Sequence, residues 1–316
     1  MEIKEIRELY TRVLGNIRSV MIGSEEVFSL VFSAMLSGGH VLLEDMPGTG
    51  KTTMAKCIAD SIDASFKRVQ FTPDLMPQDI TGLNIYSQKT EEFEFIPGPV
   101  FTNILLADEI NRATPRTQAA LLEAMEERAV TVDGKSRELG KPFIVIATEN
   151  PVETTGTFPL PEAELDRFMV KLTMGDISVE DEVKILERFI VDSPNKDISP
   201  VVKAEEIVEA AKTVRSVTVN KAVMNYIVGI SDATRNSSKL FSGVSPRASL
   251  NLMRIAQSFA AISGREFVTP DDVRYLAPFV FAHRIITSSG ISKLVETRNI
   301  IREIITAVSV PVEDWK

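Results

Sequence analysis

The stretch Leu43-Glu44-Asp45-Met46-Pro47-Gly48-Thr49-Gly50-Lys51-Thr52-Thr53 decides how this chain is read. It follows a short apolar run at residues 41–43, and its tail, Gly48-x-Gly50-Lys51-Thr52, matches the end of the phosphate-loop pattern. Glycines there let backbone N–H groups turn inward onto phosphate oxygens. The helix expected next adds its positive N-terminal end. Lys51 is suited to reach the β- and γ-phosphates of a nucleoside triphosphate such as ATP, and Thr52 to place its hydroxyl on Mg²⁺. Asp45, Met46, Pro47, Gly48, Thr49, Gly50 and Thr53 are expected to line the same nucleotide. One departure is plain: Asp45 stands where the pattern has its first glycine.

Outward from the loop, further apolar runs lie at residues 68–71, 103–107, 143–147 and 168–172, with helical patterns between several of them. Strands alternating with helices predict a parallel sheet covered on both faces. The run Ile104-Leu105-Leu106-Ala107-Asp108-Glu109 is an apolar strand ending in two carboxylates. Beside a phosphate loop, Asp108 is suited to hold Mg²⁺ through water and Glu109 to polarise the attacking water. Asn150 ends the following run, where an amide can orient that water or touch the γ-phosphate, although Asn-Pro is also ordinary turn chemistry. Between these runs, Ala129-Val130-Thr131-Val132 leads into Asp133-Gly134, a hairpin signal.

The chain opens with an amphipathic helix marked by Ile3, Ile6, Tyr10, Val13 and Ile17. Beyond about residue 175 the strand pattern fades. Val179, Val183, Leu186 and Ile190 mark a helix, and Asp192-Ser193-Pro194-Asn195 a break. Ser245-Pro246 and Thr269-Pro270 are expected helix starts, and Ile301, Ile304, Ile305 and Val308 a last helix. The reading is an α/β core over 1–192 and a smaller all-helical part over 193–316.

A net charge of −9 disfavours nucleic acid as a default partner, because phosphate contacts need clustered basic groups. The lone cysteine, Cys57, excludes an internal disulfide and is expected as a small buried apolar residue. His40 and His283 have no companions at metal-ligand spacing and read as structural. The N-terminus lacks the apolar core of a signal peptide, and the apolar stretch at 27–36 is too short to span a bilayer, so a cytoplasmic protein is expected.

Longer segments carry a resemblance. Gln70-Phe71-Thr72-Pro73-Asp74-Leu75-Met76-Pro77-Gln78-Asp79-Ile80-Thr81-Gly82, Leu106-Ala107-Asp108-Glu109-Ile110-Asn111-Arg112-Ala113, Gly156-Thr157-Phe158-Pro159-Leu160-Pro161-Glu162-Ala163, Leu165-Asp166-Arg167-Phe168 and Ser245-Pro246-Arg247-Ala248 together resemble the MoxR AAA+ ATPases, close to magnesium-chelatase-type motors. The similarity covers roughly residues 15–290. It implies a P-loop αβα core with strand order 5-1-4-3-2 and a helical lid, an insert around 74–99 and a hairpin around 128–142.

The resemblance also assigns roles. Arg167 would be the arginine finger for a neighbouring subunit, and Arg247 the lid residue that reads the γ-phosphate, in its own subunit or a neighbour's. Arg112 would touch an interface, Gly23 would lie near adenine, and Glu149 stands where relatives usually carry Gln. The implied function is Mg²⁺-dependent ATP hydrolysis by a hexameric ring. That ring would mature protein complexes, with a von Willebrand factor A domain protein as partner and metal-cofactor insertion as one task. The rival readings are a non-hydrolysing ATP-binding scaffold and a DNA-linked motor.

Overall fold

The computed structural model describes every residue except Ser24, Pro47, 152–155, 176–177, 192–197, 289, 291–292 and 312–316. The expected break at 192–195 therefore lies outside the described residues. Five parallel strands form the central sheet: β1 Val41–Glu44, β2 Phe66–Gln70, β3 Ile104–Asp108, β4 Ile144–Glu149 and β5 Val170–Leu172. They lie in the order β2-β3-β4-β1-β5, which is 5-1-4-3-2 read from the other edge.

Side chains alternate across these strands, and the alternation builds two cores. Val41, Leu43, Ile104, Leu106, Ile144, Ile146, Val170 and Leu172 face one side. They pack with the helices Ile3–Val20, Glu25–Leu36 and Lys51–Ser61, and the same core runs on into the C-terminal helices without a break. Leu42, Leu105, Ala107, Val145 and Ala147 face the other side, against the helix Pro115–Glu127.

The second strand begins two residues before the apolar run that marked it. It is an edge strand, and Lys67, Arg68 and Gln70 leave much of it polar and exposed, so hydropathy locates it poorly. After β2 come a short helix, Pro77–Thr81, and an antiparallel hairpin, Gly82–Ser87 with Glu92–Pro97. A second hairpin pairs Ala129–Val132 with Lys135–Glu138. Its turn residues, Asp133 (φ 50°) and Gly134 (φ 74°), take the left-handed conformation that such a two-residue turn requires. The hairpins touch: Asn84 Nδ2 donates to Asp133 Oδ2 at 2.6 Å, and the Arg137 guanidinium lies 3.9 Å from the Phe95 ring centre. Ile85, Tyr86, Phe93 and Ile96 remain exposed on the first of them.

Ser245 and Thr269 cap the helices Pro246–Ile262 and Pro270–Phe281 with their side-chain oxygens, and the last helix spans Leu294–Ala307. The helix Val179–Val191 forms, but Val179, Val183, Leu186 and Ile190 lie on the surface of the single chain. Cys57 is buried, and burial pushes its thiol up to about 11.

Both histidines are buried and bound to main chain. His40 Nδ1 accepts from Val145 N at 2.9 Å, which leaves Nε2 to donate to Met125 O at 3.1 Å. His283 Nε2 donates to Phe168 O at 3.1 Å. Burial, reinforced by Arg128 beside His40 and Arg284 beside His283, holds both imidazoles well below their ordinary range. In the unfolded chain they bind protons below about pH 6.5 while the folded chain binds none. Stability should therefore rise with pH up to about 6.5 and be lost below it, by about 1.4 kcal/mol per pH unit for each imidazole. Urea unfolding between pH 7 and 5 checks this: replacing His283 by Gln should remove about half of the histidine part of the slope.

Candidate nucleotide site and a second, arginine-lined pocket

The loop after β1 owes its shape to two glycines. Gly48 and Gly50 both have φ 88°, a conformation that costs other residues strain. Gly50 caps the helix Lys51–Ser61. A β-carbon on Gly48 would meet nothing within 4 Å, so the backbone and not space demands glycine there. On Gly50 it would lie 3.2 Å from Met21 Cε.

Asp45 has a different job from the glycine it replaces. Its N–H donates to Glu149 O at 3.1 Å, and its carboxylate accepts from Met174 N beyond β5. It straps the start of the loop to both strands that flank β1. Burial raises its pKa, and the Met174 hydrogen bond opposes that rise. Lys51 Nζ donates to Asp45 O at 2.9 Å and Met46 O at 3.0 Å, so its ammonium sits at the loop mouth. Pro47 lies outside the described residues.

A cavity of about 320 Å³ opens over this loop. Asp45, Gly48, Thr49, Gly50, Lys51, Thr52 and Thr53 line it, together with Asp108, Glu109 and Asn150. Met46 is exposed beside it. Arg68, Gln70 and Thr148 also line the cavity and were missed in the sequence. The signal was available for two of them: Arg68 and Gln70 are spaced by two on one strand and so share a face. Thr148 is a polar residue inside an apolar strand.

These three organise the acidic pair. Asp108 Oδ2 accepts from Arg68 Nε at 3.0 Å and Nη2 at 2.6 Å, and Oδ1 accepts from Thr148 Oγ1 at 2.6 Å. The same hydroxyl accepts from Glu109 N at 2.8 Å. That bond holds Glu109 in the left-handed conformation (φ 55°) in which the chain leaves the sheet. Glu109 Oε2 then accepts from Gln70 Nε2 at 2.8 Å and pairs with Arg112 Nε at 3.0 Å. Arg112, expected at an interface, thus meets Glu109 within the chain. Glu149 pairs with Lys171 Nζ at 3.1 Å, and Lys171 also pairs with Glu44. A carboxylate in the place of Gln is thereby compensated.

Besides Met46, three expected residues do not line this cavity. Gly23 lies in a neighbouring one of about 450 Å³ with Met21, Ile22 and Glu26, joined to the loop through Met21. Arg167 and Arg247 line a third, of about 240 Å³, with Arg128 and Arg254. There both pair with Glu126, Arg167 at 3.3 Å. Residues 37–40 also line that pocket, and they precede β1, whereas the phosphate loop follows it. Val41 of β1 is level with Val170 of β5, so Arg167 stands before β5 at the same N-terminal edge of the sheet. The arginines and the phosphate loop occupy opposite ends of the strands, about 13 Å apart along β1 alone.

Comparison with known proteins gives the family of the chain. Residues 40–170 match the model of the ATPase family associated with various cellular activities (AAA), and residues 232–304 the AAA lid domain. The chain is 37% identical over 310 residues to Chaperone MoxR1 of Mycobacterium tuberculosis, covering 95% of this chain and 82% of that protein. It is 30% identical over 304 residues to Protein MoxR of Methylorubrum extorquens, covering 88% of each.

The chain belongs to the MoxR family of AAA+ ATPases. Another relative is YeaC of Bacillus subtilis, 47% identical over 311 residues, 98% of this chain and 97% of the relative. A crystal structure of a candidate ATPase from Cytophaga hutchinsonii superposes with a TM-score of 0.89 at 36% identity, covering 98% of this chain and 96% of that one. Within this MoxR-family site, Thr148 is the residue to test. Thr148→Val keeps the volume but strips Asp108 of one partner and frees the Glu109 N–H. Leaving those groups unpaired should lower stability by about 1–3 kcal/mol in urea unfolding. Phosphate release should fall at least tenfold, and a fall below twofold would separate Thr148 from the site.

Proposed function

We propose that this MoxR-family chain hydrolyses Mg·ATP at the junctions between subunits of a ring and uses the cycle to remodel a partner protein. The observation that carries the reading is the separation of charges: phosphate loop and carboxylates at one end of the sheet, paired arginines at the other. Neither Arg167 nor Arg247 lines its own chain's nucleotide cavity. A head-to-tail assembly would bring the arginine pocket of one subunit against the phosphate loop of the next. On this reading Arg247 serves a neighbour, as Arg167 does, and Glu126 holds the two guanidinium groups together until they meet phosphate.

The residues fit a nucleotide with Mg²⁺. Thr52 and Asp108 supply hard oxygen donors, and Mg²⁺ needs only one or two protein oxygens when phosphates complete its shell. When bound, the ion would offset phosphate charge. Lys51 would exchange the carbonyls of Asp45 and Met46 for phosphate oxygens. Glu109 would take the proton of the attacking water, with Gln70 and Arg112 fixing its carboxylate and Asn150 orienting the water. Arg167 and Arg247 of the neighbouring subunit would stabilise charge on the transferring phosphoryl group. Gly23 would border the base.

The insert and second hairpin, with Ile85, Tyr86 and Phe93 exposed, are the segments proposed to grip the client. The client class we favour is a von Willebrand factor A domain protein, in complex maturation that includes metal-cofactor insertion, served by a hexamer in the cytoplasm. Among the described residues no helix is long and apolar enough to cross a membrane. We also propose the division into core 1–192 and lid 193–316.

Replacing Glu109 by Gln should cut phosphate release by about 10²–10⁴-fold, the usual range for a positioned base, with ATP affinity within about threefold. Hydrolysis unchanged by that substitution removes Glu109 from its role. Retained affinity with no hydrolysis even in the parent chain would favour the scaffold. In the same assay Arg167→Ala should lower turnover by about 10³-fold or more, the scale of an arginine finger, without loss of ATP binding.

A further inference from the structure

Arg284 is the most enclosed cation in the region between lid and core, with 3% of its side chain exposed. It follows the helix Pro270–Phe281, and four of its hydrogen bonds run to one short segment of the core. Nε donates to Asp166 Oδ1 at 2.5 Å. Nη2 donates to Asp166 O at 3.0 Å and Phe168 O at 2.5 Å, and Nη1 to Met169 O at 3.2 Å. A last bond, from Nη1 to Val280 O, ties the guanidinium to its own helix. His283 adds its bond to Phe168 O, and Arg298 Nη2 donates to Lys171 O at 2.8 Å. The residue bracketed by these anchors is Arg167, whose own side chain points away to Glu126.

Burying a guanidinium costs free energy that apolar packing of a lid onto a core would avoid. What a planar fork of donors does, and apolar packing does not, is fix the directions of several carbonyls at once. Here it fixes the carbonyls on both sides of one residue. We infer that Arg284 is a positioning residue for Arg167: it locks the finger segment to the lid, so that Arg167 of the core and Arg247 of the lid are presented to a neighbouring subunit as one rigid pair. The inference rests on the proposed action of Arg167 across a subunit junction. It adds that the lid sets the aim of the finger.

The test uses mixtures of full-length chains. Arg284→Met should lower kcat at least tenfold while KM and the ATP dissociation constant stay within twofold, because its own phosphate loop is untouched. Lys51→Ala should be inactive but keep its finger. Mixed in equal amounts, the two should recover about a quarter of parental turnover, since half the subunits keep a working loop and half of those receive an intact finger in a head-to-tail ring. Arg284→Lys keeps the charge near Asp166 but cannot span three carbonyls. It should show the same pattern more weakly, and it stands in if the Met variant does not fold.

The control is Arg167→Ala mixed with Lys51→Ala. If that pair fails to recover, the cross-subunit reading falls and this inference with it. If the control recovers while Arg284 variants turn over at the parental rate, or stay unrescued by Lys51→Ala, Arg284 merely attaches the lid and the inference is overturned.

Discussion

In a parallel sheet every strand ends at the same edge, and this molecule depends on that constraint. The chain runs through five parallel strands, and their C-terminal ends gather Asp45, Asp108, Glu109 and Asn150 around one cavity although more than a hundred residues separate the first from the last. The same constraint collects the strand beginnings at the other edge, with residues 37–40 and Arg167 among them. The acidic pair Asp108 and Glu109 and the arginine pair Arg167 and Arg247 are thus sorted to opposite ends of the sheet. A sheet with alternating strand directions would mix the two sets.

The buried network at the C-terminal edge turns proximity into a defined site. Arg68 and Thr148 supply the hydrogen-bond partners that a side chain buried as deeply as Asp108 requires. Thr148 gives one hydroxyl to both acids, so Asp108 and Glu109 cannot shift independently. At the other edge the lid does comparable work. Its core is continuous with the core of the N-terminal helices, and His283, Arg284 and Arg298 bind the main chain between Asp166 and Lys171. Lys171 then reaches Glu44 and Glu149 under the phosphate loop. The short segment from Asp166 to Lys171 therefore joins the main chain around Arg167 to the strands that lead into the phosphate loop.

Much of this was legible in the chain because the signals are local. Gly48 and Gly50 are required by the backbone conformation of their own positions. Ser245 and Thr269 cap helices that begin one residue later, and Asp133-Gly134 dictates its own turn. The strands could be found wherever both faces are buried. The start of the edge strand β2 was misplaced by two residues because Lys67 on one face and Arg68 and Gln70 on the other leave it polar on both sides.

The phosphate loop, the acidic strand end, the alternation of strands and helices and the caps are written in the chain locally, since each is specified by residues within a few positions of one another. Tertiary structure alone decided that Arg68 and Thr148 would share Asp108, that Asp45 would strap two strands, and that Arg167 and Arg247 would meet on Glu126 far from their own nucleotide cavity. It also decided that Arg284 would close on Asp166 across 118 residues of chain. The physical reason is the range of the interaction. A turn or cap is settled by backbone dihedrals at its own site, whereas the partner of a buried charge is settled by whichever distant strand or helix the packing of two cores brings beside it.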